Sequence, residues 1–262
     1  MRLKTLMLSL ASAAMMTACA TSPTGRNQVI LFSDNQMSDL GSQSFEQMKS
    51  ELAISKDAKT NAYVQCVTNA ILEHVPIQGS FSQWEVVVFD SDQVNAFALP
   101  GGKIGVYTGL LKVAVNQDQL ATVIGHEIAH VLADHSNERM SHAQLANTGL
   151  QISNVALSNQ EYRNEIMAAM GVGVQYGVLL PYGRTQESEA DIVGLELMAK
   201  AGFDSYQSVD LWKNMAKASG GNQPPELLST HPSHDTRIKD LTAKAASEPK
   251  FTGQKPNCSR PN

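Results

Sequence analysis

His126, Glu127 and His130 stand in "HEIAH", two imidazoles four residues apart with a carboxylate beside the first. On a helix that spacing puts both rings on one face, one turn apart, where they can share a metal ion. Glu127 is then placed to take a proton from a metal-bound water rather than to bind the metal. A hydrolytic zinc site takes three protein ligands and leaves one position for water. The pattern is therefore incomplete, and alone it also fits two ordinary helix-surface histidines. Downstream, "RTQESEADIVGLELMAK" offers Glu187, Glu189 and Asp191. Glu187 and Asp191 are four apart and share a helix face, whereas Glu189 points away from both. Glu187 suits the third ligand position. Asp191 can accept the free ring N–H of a ligating histidine and fix its tautomer. By itself "ESEAD" reads as an acidic solvated face; beside the two-histidine motif the ligand reading prevails.

These groups need elements to hold them. "NQDQLATVIGHEIAHVLADH" reads as one helix, with Asn116 as its cap, Gln119 as a capping-box partner and Leu120, Val123, Ile124 and Val131 as its apolar face. His135, five residues after His130, then falls on a different face and reads as structural, as do His142 and His234, which have no partner at metal spacing. Residues 35–74 read as helical, from Met37, Leu40, Phe45, Met48 and Leu52 onward. "WEVVVF" is β-branched and aromatic and reads as a strand. "NAFAL" and "KIGVY", joined by Pro100-Gly101-Gly102, read as a hairpin. After that the chain reads as helical nearly to its end. The expected class is α+β: mainly helical, with a small antiparallel sheet bordering the site. "IMAAMGVGVQYGVLLPYG" (166–183) is nearly uncharged, but three glycines, Gln175 and two tyrosines favour a buried helix or active-site cover over a membrane span.

The chain has 262 residues, enough to bury a core, and a net charge of −5 with no basic stripe, which argues against a nucleic-acid partner. Its start pairs Arg2 and Lys4 with an apolar run from Leu6 to Met16, too short to span a bilayer. Small residues precede Cys19, an arrangement that resembles the bacterial lipoprotein processing site; plain secretion is the alternative. Ala20 after the cysteine resembles the sorting pattern for the outer membrane. The expected division is a signal peptide over 1–18, a lipidated tether over 19–34, a catalytic domain over 35–245 and a Pro-rich tail over 246–262. Cys66 and Cys258 remain. In an oxidising compartment they are consistent with one disulfide pinning the tail to an early helix; two unrelated thiols fit the sequence as well.

"HEIAH" and "ESEAD", preceded by "NAFALPGGKIGVYTGLL" and followed by "STHPSHDTRI", resemble the zinc metallopeptidases of the HtpX, BepA and LoiP type, relatives of the CAAX prenyl protease. The resemblance runs from about residue 60 to 242, with four motifs in the family's order, and is nearest to the LoiP-like lipoproteins. It implies a gluzincin fold with one zinc per chain on His126, His130 and Glu187, Glu127 as base and Asp191 supporting a ligand. It implies that His231 and Arg237 approach the zinc cleft, where they gate the open position or stabilise the oxyanion. It places Asn95, Ala96, Phe97, Ala98 and Leu99 on the strand that pairs with substrate backbone. The expected activity is zinc-dependent cleavage of polypeptides, in quality control of unfolded or misassembled envelope proteins, by an enzyme held to the membrane through Cys19 and facing the periplasm. The rival expectation is a non-proteolytic lipoprotein whose zinc site is closed and which binds other proteins as a chaperone would.

Overall fold

The computed structural model describes residues 19–76, 83–158, 160, 162–175, 179–218 and 234–261. Strands β1 (Cys19–Thr21) and β2 (Asn27–Val29) form an antiparallel hairpin, with Thr21 opposite Asn27. The segment read as a tether is thus folded onto the domain from this hairpin onward. Its polar residues find buried partners there: Gln28 donates to the Ala133 carbonyl at 2.6 Å, and Leu31 N–H to the Ser141 hydroxyl at 2.9 Å.

Helix α1 (Asp34–Glu51) starts in a capping box of Ser33 and Gln36. The helix expected to run to residue 74 is interrupted at Leu52. Residues 53–55 instead pair with the end of β3 (Glu85–Phe89): Ser55 N–H donates to Val88 O at 2.8 Å and Asp90 N–H to Ala53 O at 2.7 Å. Asp57 then caps a second helix, α2 (Ala58–Leu72), by accepting from Thr60 N–H at 2.9 Å.

The expected hairpin is present as β4 (Ala96–Leu99) and β5 (Lys103–Tyr107), joined through Gly101 and Gly102 at φ 85° and 73°, values that a side chain would disfavour. The sheet is not wholly antiparallel, however. Its order is β3-β5-β4, and β3 runs parallel to the central β5. The link from β3 to β4 crosses to the far edge, so β3 and β5 point the same way. Alternation along the strands separates two faces. Ala96, Ala98, Ile104 and Val106 join the main core with Val64, Val67, Leu120, Ile124 and Ile128. Phe89, Phe97 and Tyr107 cluster with Phe45 of α1, ring centroids 5.6–6.3 Å apart.

The remaining elements are a short 3-10 turn (Thr108–Lys112), α3 (Gln117–Leu132), α4 (His135–Ala156), α5 (Arg163–Val174), α6 (Leu180–Lys200), α7 (Gln207–Ala218) and α8 (His234–Ser247). The α+β class holds. Of the segment 166–183, read as a buried helix or active-site cover, the part within α5 buries none of its residues and packs against α4, while 176–178 lie outside the described residues. Among the described residues no helix is long and apolar enough to cross a membrane. The tail lies across the start of α3. Cys66 and Cys258 are joined by a disulfide of 2.05 Å, and Gln117 bonds both Pro256 O and Cys258 N–H, at 2.9 and 2.8 Å.

Candidate active site

Asn116 caps α3 by accepting from Gln119 N–H at 2.8 Å. Gln119 does not return the bond to the cap residue; its amide oxygen accepts from Val115 N–H at 2.9 Å. Leu120, Ile124 and Ile128 are fully buried, which fixes the rotation of α3 and turns His126 and His130 toward α6. The helices meet at Gly125 and Gly194. A methyl group added at Gly194 would lie 2.6 Å from the His126 backbone nitrogen, and one at Gly125 2.7 Å from the Gly194 carbonyl oxygen. No side chain separates the backbones there, so short ligand-bearing residues on both helices reach one point.

At that point the Nε2 atoms of His126 and His130 lie 3.0 Å apart. Glu187 places one oxygen 3.4 Å from each of them. Ligand atoms from all three residues lie within 4.8 Å of one another. Two imidazole nitrogens and a carboxylate are the donor set that zinc favours in an open site. Burial pushes the His130 imidazole pKa down, which favours the neutral, ligating form. Burial also opposes a charge on His126, but hydrogen bonds to Asp191 and Glu187 outweigh it and push its pKa up to about 9. The same carboxylates that favour that charge favour a metal cation. The donor set therefore fits the expected ion. Glu127 follows His126 on α3 and is half-buried.

Asp191 lies where the sequence placed it: Oδ1 is 3.0 Å from His126 Nδ1, leaving Nε2 to face the other ligands. Arg237 of α8, read as approaching the zinc cleft, is buried beside the ligand set. Its Nε donates to Asp191 Oδ2 at 2.7 Å, its Nη2 to Asp191 Oδ1, and its Nη1 reaches Glu187 Oε2 at 3.4 Å. The guanidinium also stacks 3.6 Å over the Trp212 ring. Burial works against the charge on Asp191, yet Arg237 and His126 outweigh it and hold its pKa below the ordinary carboxylate value. Arg237 thus orients the residues that orient the ligands. His231 lies outside the described residues.

The strand read as a substrate platform is the outer strand of the sheet, with α3 packed against it. Ala96 and Ala98 point into the main core and Phe97 and Leu99 into the aromatic cluster, so among the described residues pairing would fall to its outer backbone edge. Asn95 just precedes it and accepts from Tyr107 N–H at 3.1 Å.

Two residues at the site escaped the sequence. His135 is fully buried, its Nδ1 2.8 Å from His130 Nδ1 and its Nε2 3.1 Å from Glu189 Oε2. A five-residue interval on one helix would have kept it away from His130. Instead α3 ends at Leu132, and Asp134 takes a left-handed conformation at φ 51° before α4 begins. Glu189, dismissed for facing away from Glu187, meets His135 for that very reason.

A family model described as peptidase family M48 matches residues 58–245. Metalloendopeptidase OMA1, mitochondrial, from Bos taurus is 34% identical over 231 residues, covering 83% of this chain and 44% of the relative. The mitochondrial metalloendopeptidase OMA1 of Schizosaccharomyces pombe is 34% identical over 184 residues, 70% of this chain and 52% of the relative. The beta-barrel assembly-enhancing protease of Escherichia coli O157:H7 is 25% identical over 217 residues, 80% and 44%. The chain spans about half the length of these relatives. With the matched region enclosing His126, His130, Glu187 and their supports, the chain belongs to peptidase family M48.

Proposed function

We propose that this protein is a zinc-dependent endopeptidase, with His126, His130 and Glu187 holding the ion and Glu127 as general base. The observation that carries the reading is the convergence of two Nε2 atoms and a carboxylate within 4.8 Å, each histidine held from behind at Nδ1. Zinc in that set supplies Lewis acidity toward the scissile carbonyl and lowers the pKa of a water. Glu127, beside His126, takes a proton from the attacking water as its oxygen bonds to the carbonyl carbon. It passes that proton to the leaving nitrogen as the C–N bond breaks, giving a carboxylic acid and an amine. Substrate lies extended along the outer edge of β4, recognised through its backbone rather than through side-chain pockets. Arg237 keeps Asp191 and Glu187 in place, and His231 gates the open metal position or assists the oxyanion.

We further propose a lipoprotein of the LoiP-like kind, processed at Cys19, acting on unfolded or misassembled envelope proteins from the periplasmic side of the outer membrane. The small residues before Cys19 and the bacterial assembly-enhancing relatives support this reading. The test is cleavage of an unfolded protein with and without a zinc chelator, in wild type, Glu127→Gln and His231→Ala. Cleavage abolished by chelation and by Glu127→Gln, with zinc retained in the latter, is expected; undiminished cleavage by Glu127→Gln would sink the mechanism. Raised activity in His231→Ala marks a gate, and reduced activity a donor. The mass of the mature amino terminus tests lipidation.

A further inference from the structure

Each ligand histidine is held at Nδ1, but by different routes. For His126 the route is one step: Asp191, itself gripped by Arg237. For His130 an imidazole intervenes. Glu189 Oε2 lies 3.1 Å from His135 Nε2, and His135 Nδ1 lies 2.8 Å from His130 Nδ1. The ionised Glu189 accepts the His135 Nε2–H. His135 Nδ1 is then a bare acceptor for His130 Nδ1–H, and His130 Nε2 is left with its lone pair toward His126 and Glu187.

Among the described residues, what holds Glu189 besides His135 comes from the N-terminal hairpin segment. Arg26 donates to Glu189 Oε2 from Nε at 3.0 Å and from Nη2 at 2.9 Å. Thr24 donates to Oε1 from its hydroxyl at 2.6 Å and from its N–H at 3.3 Å. The other face of the Arg26 guanidinium holds Glu138 with two bonds, at 2.5 and 2.8 Å. Glu138 and Glu189 are both buried, at 0% and 4% exposure. Two buried carboxylates sharing one arginine would repel and turn aside without it.

We propose that Arg26 is a positioning residue for the metal ligand His130, acting through Glu189 and His135, so that the N-terminal hairpin is part of the catalytic unit. The two ligand histidines are then supported alike: arginine, carboxylate, imidazole, with one extra imidazole on the His130 side. The inference rests on His130 being a ligand, as proposed above. The bland alternative is that Arg26 merely fastens the hairpin down, and Gln28 separates the two. Gln28 also fastens the hairpin, to Ala133 O and Glu138, and its side-chain amide donates to neither Glu189 nor His135.

The experiment uses the full chain, metal-free and ¹⁵N-labelled at histidine, with tautomers read by long-range ¹H–¹⁵N correlation and zinc affinity by competition with a chromophoric chelator. Wild type is expected to show His130 as the Nδ1–H and His135 as the Nε2–H tautomer. Arg26→Ala should lose that pattern at both rings while His126 keeps its own, and should bind zinc roughly tenfold more weakly. Arg26→Lys should recover part of both. Gln28→Ala should lower the unfolding temperature and leave both readouts alone. An Arg26→Ala protein that is less stable but retains wild-type tautomers and zinc affinity overturns the proposal, as does a Gln28→Ala protein that loses zinc equally. If Arg26→Ala does not fold, Thr24→Val carries the same measurement: a smaller loss in both readouts supports the relay, and no change overturns it. A chain that takes up no zinc at all defeats the proposed function, while the tautomers still decide on the relay.

Discussion

Gly125 and Gly194 face each other across the contact of α3 with α6, so close that a single added methyl group on Gly194 would meet the His126 backbone nitrogen at 2.6 Å. The obstructing atoms are backbone, which cannot swing away. Gly194→Ala must therefore push the helices apart, and overpacking of this kind costs about 1–3 kcal/mol. Because His126 and His130 sit on one helix and Glu187 on the other, the same displacement opens the ligand set. Gly194→Ala is expected to lose both stability and zinc affinity, read by thermal unfolding of the metal-free protein and by chelator competition. An alanine variant that keeps wild-type zinc affinity would show that the close approach does not set the ligand spacing.

Asp191 joins His126 to Arg237, and its two oxygens are both engaged. Asp191→Ala leaves the buried guanidinium without its main partner and the His126 ring without an acceptor. Zinc affinity should fall about 10–100-fold. Asp191→Asn should fall less, since its amide oxygen still accepts from the ring while the attraction to Arg237 is lost. Equal affinity in Asp191→Ala and wild type would remove the aspartate from the site.

The metal set was legible because its members are close in sequence or four apart on a helix, where spacing alone gives the face. His126 and His130 needed only α3; Glu187 and Asp191 needed only α6. The supports were not legible in that way. Arg26 meets Glu189 across 163 residues and Glu138 across 112, distances over which periodicity carries no information. The place of His135 depends on a break in the helix that nothing in "LADHS" announces, where Asp134 turns left-handed. The parallel pairing of β3 with β5 was likewise invisible, since a strand's pattern records burial, not its neighbour's direction. The polar run after Cys19 read as a tether because its partners are buried charges that lie far along the chain.

Glu138 makes the acid response of the hairpin calculable in sign. Burial alone would raise its pKa, but hydrogen bonds from Arg26, Gln186 and Gln28 outweigh that and hold it below the ordinary 4.5. A carboxylate depressed on folding contributes stability above its unfolded pKa and loses it as pH falls through the folded value. Glu138→Gln should thus cost about 1–3 kcal/mol at neutral pH, and the gap from wild type should narrow below about pH 4.5. Denaturant unfolding from pH 7 to pH 3 checks it; a gap that is constant over that range would place the charge of Glu138 outside the folding balance.

The Cys66–Cys258 bridge closes a loop across 192 residues and fastens the tail to α2, while Gln117 at the start of α3 fastens it again. Most of that effect lies in the unfolded chain, whose freedom the bridge restricts. Replacing both cysteines by serine should lower stability by about 2–5 kcal/mol. Reductant should reproduce the loss in wild type and do nothing further to the double variant. Zinc affinity should stay unchanged, because the tail meets α3 at its first turn, more than two turns before His126. Wild-type protein whose unfolding ignores reductant would show that the two thiols are not joined in solution. A double variant with weakened zinc binding would show instead that the tail sets the position of α3, and with it the ligands.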